Sequence, residues 1–130
     1  MSSAKEENPR RVEVDRFILD EIDSVPHIEA LLILWNHRPK PWTVDALAAL
    51  LYLPEERTRQ VLEDLRQRSL VASVENGSTY NPGHPRDHLM EDVDRTWRRE
   101  LVRLSNLIHS KASPAVREFA RAFRFKKDQP

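Results

Sequence analysis

Residues 43–72 read TVDALAALLYLPEERTRQVLEDLRQRSLVA, and this order of residue types predicts two helices joined by a tight turn and followed by a strand. Thr43 is a favourable N-cap for the first helix. Tyr52 and Leu53 form the turn, and Pro54 is well suited to the first turn of the next helix. The apolar spacing of that second helix places one face toward a core, formed by Thr58, Val61, Leu62 and Leu65.

Two more helices are expected on the N-terminal side of this stretch. Helical spacing over residues 14–25 predicts an amphipathic helix, carried by Val14, Phe17, Ile18, Ile22 and Val25. After Pro26, the segment IEALLILWNH at 28–37 is apolar over most of its circumference, which predicts the central helix of the core. Residues 1–13 are expected to be a disordered tail, because their start is polar and lacks periodicity.

A β-hairpin is predicted on the C-terminal side. Two short β-prone runs, LVASV and TYNP, flank Glu75, Asn76, Gly77 and Ser78. Asn-Gly is a strong hairpin signal because this pair accepts the positive φ angles of a two-residue turn. The tip carries no basic side chain.

The pattern T…LA..L.LPEE.T..VL..L...LV followed by ENGSTY, over roughly residues 26–82, resembles the winged helix-turn-helix family of bacterial transcriptional regulators. The resemblance implies a winged-helix domain over 14–82 with an extra N-terminal helix. It also implies that the helix at Pro54–Gln67 faces double-stranded DNA. The expected fold class is mainly α with a small β-hairpin: a winged helix-turn-helix core plus a long C-terminal helix and a short terminal helix.

The candidate DNA-binding residues are Arg57, Arg59, Gln60 and Glu63. If the apolar face points inward, 100° per residue turns Gln60 and Glu63 outward and leaves the two arginines on the flanks. Gln60 could bind an adenine edge, Glu63 a cytosine amino group, and the arginines phosphates. The alternative is a solvated helix whose arginines pair with glutamates, as Glu55 with Arg59 or Arg59 with Glu63.

The charge distribution supports a rival hypothesis. The net charge is zero, but residues 17–82 carry six basic and ten acidic groups, whereas residues 83–130 carry eleven and seven. A module that coats phosphates usually carries a basic footprint. Residues 17–82 are acidic overall and the hairpin tip has no basic side chain. These charges favour a winged-helix module that binds protein and does not bind DNA.

Residues 83–130 are predicted to form a helical C-terminal extension that mediates dimerisation. A stripe at spacings of three and four runs through about 25 residues of one helix and is expected to join two copies in a homodimer. It comprises Leu89, Val93, Trp97, Leu101, Leu104 and Ile108. A short helix from Pro114 follows, with phenylalanines set among a basic patch of Arg117, Arg121, Arg124, Lys126 and Lys127.

Several classes of site are not expected. The chain has no cysteine, no Gly-rich phosphate loop and no G-x-S-x-G motif. Serine, histidine and aspartate are frequent, but nothing in the sequence places them together as a triad. His84 and His88 have the spacing of a metal pair, yet only Asp87 offers a third ligand. We therefore expect no enzyme, cofactor or metal, and, because no long apolar run occurs, a cytoplasmic protein without membrane contact.

Overall fold

The computed structural model describes residues 9–112. The elements, in chain order, are α1 (Pro9–Glu21), α2 (Val25–Asn36), α3 (Val44–Leu51), α4 (Glu55–Gln67), β1 (Val71–Val74), β2 (Gly77–Tyr80), a 3-10 turn (Asp87–Leu89), α5 (Met90–Arg99) and α6 (Leu101–Ala112). The predicted fold class is confirmed at this level, mainly helical with one small antiparallel hairpin. Over this range no helix has the length and apolar composition that crossing a bilayer requires.

The second helix, α2, is the centre of the core, as its composition predicts. It contacts α3, α4 and β2. Pro26 lies in its first turn, where a missing N–H has no consequence. Its buried residues are His27, Ile28, Ala30, Leu31, Leu32 and Leu34.

The first helix begins earlier than its apolar spacing indicates. α1 starts at Pro9, so residues 9–13, expected to belong to the tail, are helical. Arg10 forms an ion pair with Asp92 at 3.1 Å, and Arg11 forms one with Glu100 at 3.1 Å. These long-range ion pairs hold the first turn of α1 against the C-terminal helices. The local sequence pattern does not predict them.

The hairpin pairs Val71 with Tyr80 and Val74 with Gly77, so the two-residue turn consists of Glu75 and Asn76. This corrects the expectation that Asn-Gly occupies the turn. Gly77 is the first residue of β2 and carries the positive φ angle, 133°. The segment before α3 joins the sheet through a bridge between Trp42 and Ser78, with N···O distances of 2.8 and 2.9 Å.

The C-terminal stripe does not form one continuous helix. The chain breaks at Glu100, whose φ and ψ are −127° and 45°, and α6 then contacts both α5 and α1. Glu100 accepts hydrogen bonds from Arg11 at 3.2 Å and from Arg103 at 2.6 Å. The two arginines hold the break against α1, so the stripe folds back on its own chain.

This packing limits which residues of the predicted dimer interface a second copy could contact. Four of its six residues, Leu89, Val93, Leu104 and Ile108, are buried within the single chain. Trp97 is partly buried against the same core, whereas Leu101 is 49% exposed. A second copy could therefore meet Leu101 and the edge of Trp97, but not the four core residues. The homodimer stays a prediction.

Candidate nucleic-acid interface

The turn between α3 and α4 fixes the direction in which α4 leaves the core. Thr43 caps α3 by accepting a hydrogen bond from the N–H of Ala46 at 3.3 Å. Tyr52 ends α3 in the left-handed conformation, with a φ angle of 57°. The N–H of Leu53 then donates to the carbonyl oxygen of Ala48 at 3.1 Å, which closes the helix C-terminus and redirects the chain into α4.

The α4 helix divides into a buried and a solvent-facing side where its spacing predicts. Thr58, Val61, Leu62 and Leu65 are buried. Arg57, Arg59 and Gln60 are exposed, and Glu63 is partly exposed. The four candidate DNA-binding residues are therefore all accessible from solvent.

Two of these four candidates are already engaged along the helix. Gln60 donates to the Asp64 carboxylate at 3.0 Å. Glu63 accepts from the Arg66 Nε at 2.9 Å and from Gln67 at 3.1 Å. The hydrogen bonds from Arg66 and Gln67 lower the pKa of Glu63 to about 2, so it is ionised at neutral pH. A base edge would have to displace these contacts.

The other two candidates, Arg57 and Arg59, lie at the surface, and the charge of Arg57 helps to lower the pKa of Asp64. Neither Arg57 nor Arg59 forms an ion pair or a hydrogen bond within residues 9–112. Among residues 9–112 Arg59 forms no ion pair with Glu55 or with Glu63, and Glu63 is bound to Arg66 instead. The two guanidinium groups are thus available for an anionic ligand.

The hairpin, called the wing below, contributes no positive charge. Between residues 71 and 80 the only charged side chain is Glu75, which is exposed. A cation lies at the base of the wing, where the Lys40 ammonium sits 4.6 Å from the ring centroid of Trp42. Trp42 in turn bridges to Ser78, so Lys40 is held beside the sheet by a cation–π contact.

A serine–histidine–aspartate chain, which the sequence did not reveal, joins α2 to α4. His27 is buried, with Nε2 2.8 Å from Asp64 Oδ2 and Nδ1 2.5 Å from Ser24 Oγ. Because an ionised carboxylate only accepts, Nε2 donates to Asp64, and Nδ1 forms the second hydrogen bond with the Ser24 hydroxyl. Burial alone would raise the pKa of Asp64, but the hydrogen bonds from His27 and Gln60 outweigh it and lower that pKa.

This chain holds α4 at its place on the core. Ligand atoms of Asp23, His27 and Asp64 lie within 4.8 Å of one another, a spacing that a metal ion could use. However, both ring nitrogens of His27 are hydrogen-bonded, and Asp23 is paired with Arg68 at 3.0 Å. The geometry is that of a structural link between two helices.

A second buried histidine locks the segment after the wing. Tyr80 donates its hydroxyl hydrogen to Asp87, so His84 Nε2, 2.8 Å away, donates to the Tyr80 oxygen. His84 Nδ1 accepts from the N–H of Arg86 at 3.2 Å. Burial lowers the pKa of His84, which keeps the ring neutral. His84 therefore has no free nitrogen to share with His88 as a metal pair.

A groove of about 480 Å³ lies between α2, α3 and α5. Tyr52, 93% exposed, and Leu50, 50% exposed, form one lip. We call it the Tyr52 groove; its walls are Glu29, Leu32, Ile33, Asn36, His37, Leu50, Leu51, Tyr52, Asp94, Trp97 and Arg98. The sequence assigns Tyr52 to a turn, but it gives no sign that the side chain borders a concave apolar surface.

The basic patch at 117–127 lies outside the described residues. No protein-family model matches the chain, and neither a curated protein nor a solved structure is significantly similar to it.

Proposed function

We propose that the chain binds double-stranded DNA through the outward side of α4, as a winged helix-turn-helix regulator does. The order of elements supports this proposal: α2, the bridging residue Trp42, α3, α4 and then a two-stranded hairpin whose second strand, β2, also bridges to Trp42. In that arrangement the second helix of the turn is the one that enters the major groove. A transcriptional role and a homodimer belong to the same proposal.

The observation that best supports the proposal is that the guanidinium groups of Arg57 and Arg59 are free to bind phosphate. Most arginines among residues 9–112 are tied to carboxylates, as Arg66 is to Glu63 and Arg68 is to Asp23. Arg57 and Arg59, two of the three arginines on α4, are exposed on its flanks and form no ion pair within residues 9–112. Guanidinium groups are strong phosphate ligands because they offer several donors in a fixed plane.

Base selectivity should be modest. Gln60 and Glu63 would have to exchange existing hydrogen bonds for contacts with bases. Glu55 and Glu56, in the first turn of α4, would repel the DNA backbone. Phosphate contacts therefore dominate the expected affinity, and such contacts weaken as salt rises.

The second candidate function is binding of a basic protein partner without DNA. Glu55 and Glu56 at the start of α4, together with Glu75 at the tip of the wing, place carboxylates where a DNA-binding module usually has cations. Electrostatic complementarity would steer a basic protein surface to the same face.

Fluorescence anisotropy with a random-sequence DNA duplex, at low and near-physiological salt, tests the proposal. We expect binding at low salt that weakens steeply at the higher concentration. Absence of binding even at low salt would reject DNA and leave the protein partner. If binding persists without Arg57 and Arg59 but is lost when Arg117, Arg121 and Arg124 are changed to glutamine in the full chain, the C-terminal basic patch is the DNA contact and α4 is not.

A further inference from the structure

The Tyr52 groove is a concave surface that is open to solvent and contains no atom of residues 9–112. Tyr52 holds a bulky aromatic side chain in the left-handed region and exposes 93% of it. The left-handed conformation belongs to the C-cap of α3, and it leaves the Tyr52 ring in solvent. With Leu50 half exposed and Trp97 in the facing wall, the groove offers the aromatic and aliphatic anchors that dominate binding energy at interfaces.

The groove also carries an uncompensated carboxylate. Asp94 is satisfied by Arg98 at 3.2 Å and by Asn36 at 3.1 Å. Glu29, in the opposite wall, has no ion pair or hydrogen bond to any residue in 9–112. Glu29 is exposed, and partial desolvation against that wall raises its pKa. An occupant that brings a cation to Glu29 together with apolar side chains would satisfy both features.

The C-terminal part of the chain has that chemistry. Residues 114–127 read PAVREFARAFRFKK, in which three phenylalanines alternate with five cations and a single acid. The end of α6 is seven residues from Phe119 and eleven residues from Phe123, and these extended lengths span about 25 Å and about 38 Å, against roughly 35 Å for the diameter of a domain of this size. A tether of that length gives an effective concentration of about a millimolar, enough to fill a weak site.

We infer that the Tyr52 groove binds residues 119–125 of the same chain, with phenylalanines against Leu50, Tyr52 and Trp97 and an arginine at Glu29. The contact would withdraw apolar surface from water and pair the isolated carboxylate. It would also place the most basic part of the chain beside the turn that leads into α4. The inference does not depend on DNA binding.

Disulfide trapping in the full chain tests this contact, because the protein has no cysteine of its own. One cysteine replaces Arg98 at the exposed rim of the groove, and the other replaces Ala122, between the phenylalanines. The matched control pairs Ala122→Cys with Glu75→Cys at the tip of the wing. We expect the rim pair to form an intramolecular disulfide at least about ten times faster than the control pair. Adding Phe119→Ser and Phe123→Ser, or Glu29→Lys, should reduce that rate toward the control.

Equal rates for the two pairs would overturn the inference. Disulfide-linked dimers as the main product would overturn it as well, because the groove would then be filled by a second copy.

NMR of the full chain gives an independent check that needs no cysteine. Phe119→Ser with Phe123→Ser should shift the amide signals of Leu50 and Tyr52 and the indole signal of Trp97, and leave that of Glu75 unchanged. Unchanged groove signals would likewise overturn it.

Discussion

The main chain of Trp42 passes so close to Gly77 that a Cβ atom built on Gly77 would lie 2.1 Å from the Trp42 carbonyl oxygen. That oxygen accepts the hydrogen bond from the N–H of Ser78 that joins the wing to the segment before α3. Gly77 also has a φ angle of 133°, which side-chain-bearing residues rarely adopt. Gly77 is therefore required both for the backbone conformation at the start of β2 and for the close approach of the wing to Trp42.

Gly77→Ala should lower the free energy of unfolding by at least about 2 kcal/mol, because it adds a backbone clash to a strained conformation. Chemical denaturation measures the loss. Gly83→Ala is the matched control, since its Cβ would meet only the Asn81 side chain at 3.2 Å. A similar loss in both variants would show that the contact with Trp42 is not the cause.

The end of α4 predicts a stabilising change. Ser69 has a φ angle of 65°, and hydrogen bonds from Ser69 N to Arg66 O at 2.9 Å and from Leu70 N to Leu65 O at 3.0 Å form the helix cap that glycine favours. Ser69→Gly should therefore raise the free energy of unfolding by about 0.5 kcal/mol or more. Ser73→Gly in the exposed part of β1 should lower it. A destabilised Ser69→Gly protein would contradict this account of the cap.

The stability of the protein should depend on His84 in mildly acidic solution. Its pKa is lowered by burial from 6.5, so the unfolded chain takes up a proton more readily than the folded one. The stability from the neutral ring is complete above pH 6.5 and is lost as the pH falls toward the folded pKa. Thermal unfolding between about pH 7.5 and 5.5 should show a smaller decrease in Tm for His84→Gln than for the wild type.

The exposed His88 provides the control for this pH effect. His88→Gln should keep most of the wild-type pH dependence, because its ring takes no part in the hydrogen bonds to Tyr80 and Arg86 and its charge is a smaller cause of the lowered His84 pKa than burial is. Identical pH profiles for the wild type and His84→Gln would show that the buried ring is not the titrating group.

The predicted dimer interface contains residues that are buried within one chain and residues that are exposed, so substitutions can distinguish a loss of stability from a loss of dimerisation. Leu104 is fully buried, so Leu104→Ala should cost about 2–5 kcal/mol of stability whatever the oligomeric state. Leu101→Ala, at a site 49% exposed, should cost much less. Denaturation together with sedimentation tests both. If the Leu104→Ala protein were as stable as the wild type but monomeric where the wild type is a dimer, Leu104 would lie in the dimer interface and not in the core.

The local parts of the fold follow from the sequence because their signals are local. Caps such as Thr43, starts such as Pro54 and the spacing of Val61 and Leu65 predict α3, α4 and the buried side of α4. The hairpin follows from its β-prone runs, although the turn lies one residue earlier than Asn-Gly indicates.

Long-range features could not be predicted in this way. The helical spacing of apolar residues continues from Trp97 to Leu101 and gives no sign of a helix end at Glu100. The residue that binds Glu100 from α1, Arg11, is distant in sequence. The link from His27 to Asp64 likewise joins residues with no shared motif. The Tyr52 groove depends on three helices meeting, so neither its shape nor its exposed lip is visible in any one segment.

The salt dependence of DNA affinity in two double variants tests the central claim most directly. Arg57→Ala/Arg59→Ala removes the unpaired cations of α4, and Arg16→Ala/Arg99→Ala removes the same charge from exposed sites elsewhere. Each lost phosphate contact should reduce the slope of log affinity against log salt by about 0.9. We predict a slope flatter by about 2 for the α4 variant and a nearly unchanged slope for the control. Equal slopes in the α4 variant and the wild type would contradict DNA binding through α4.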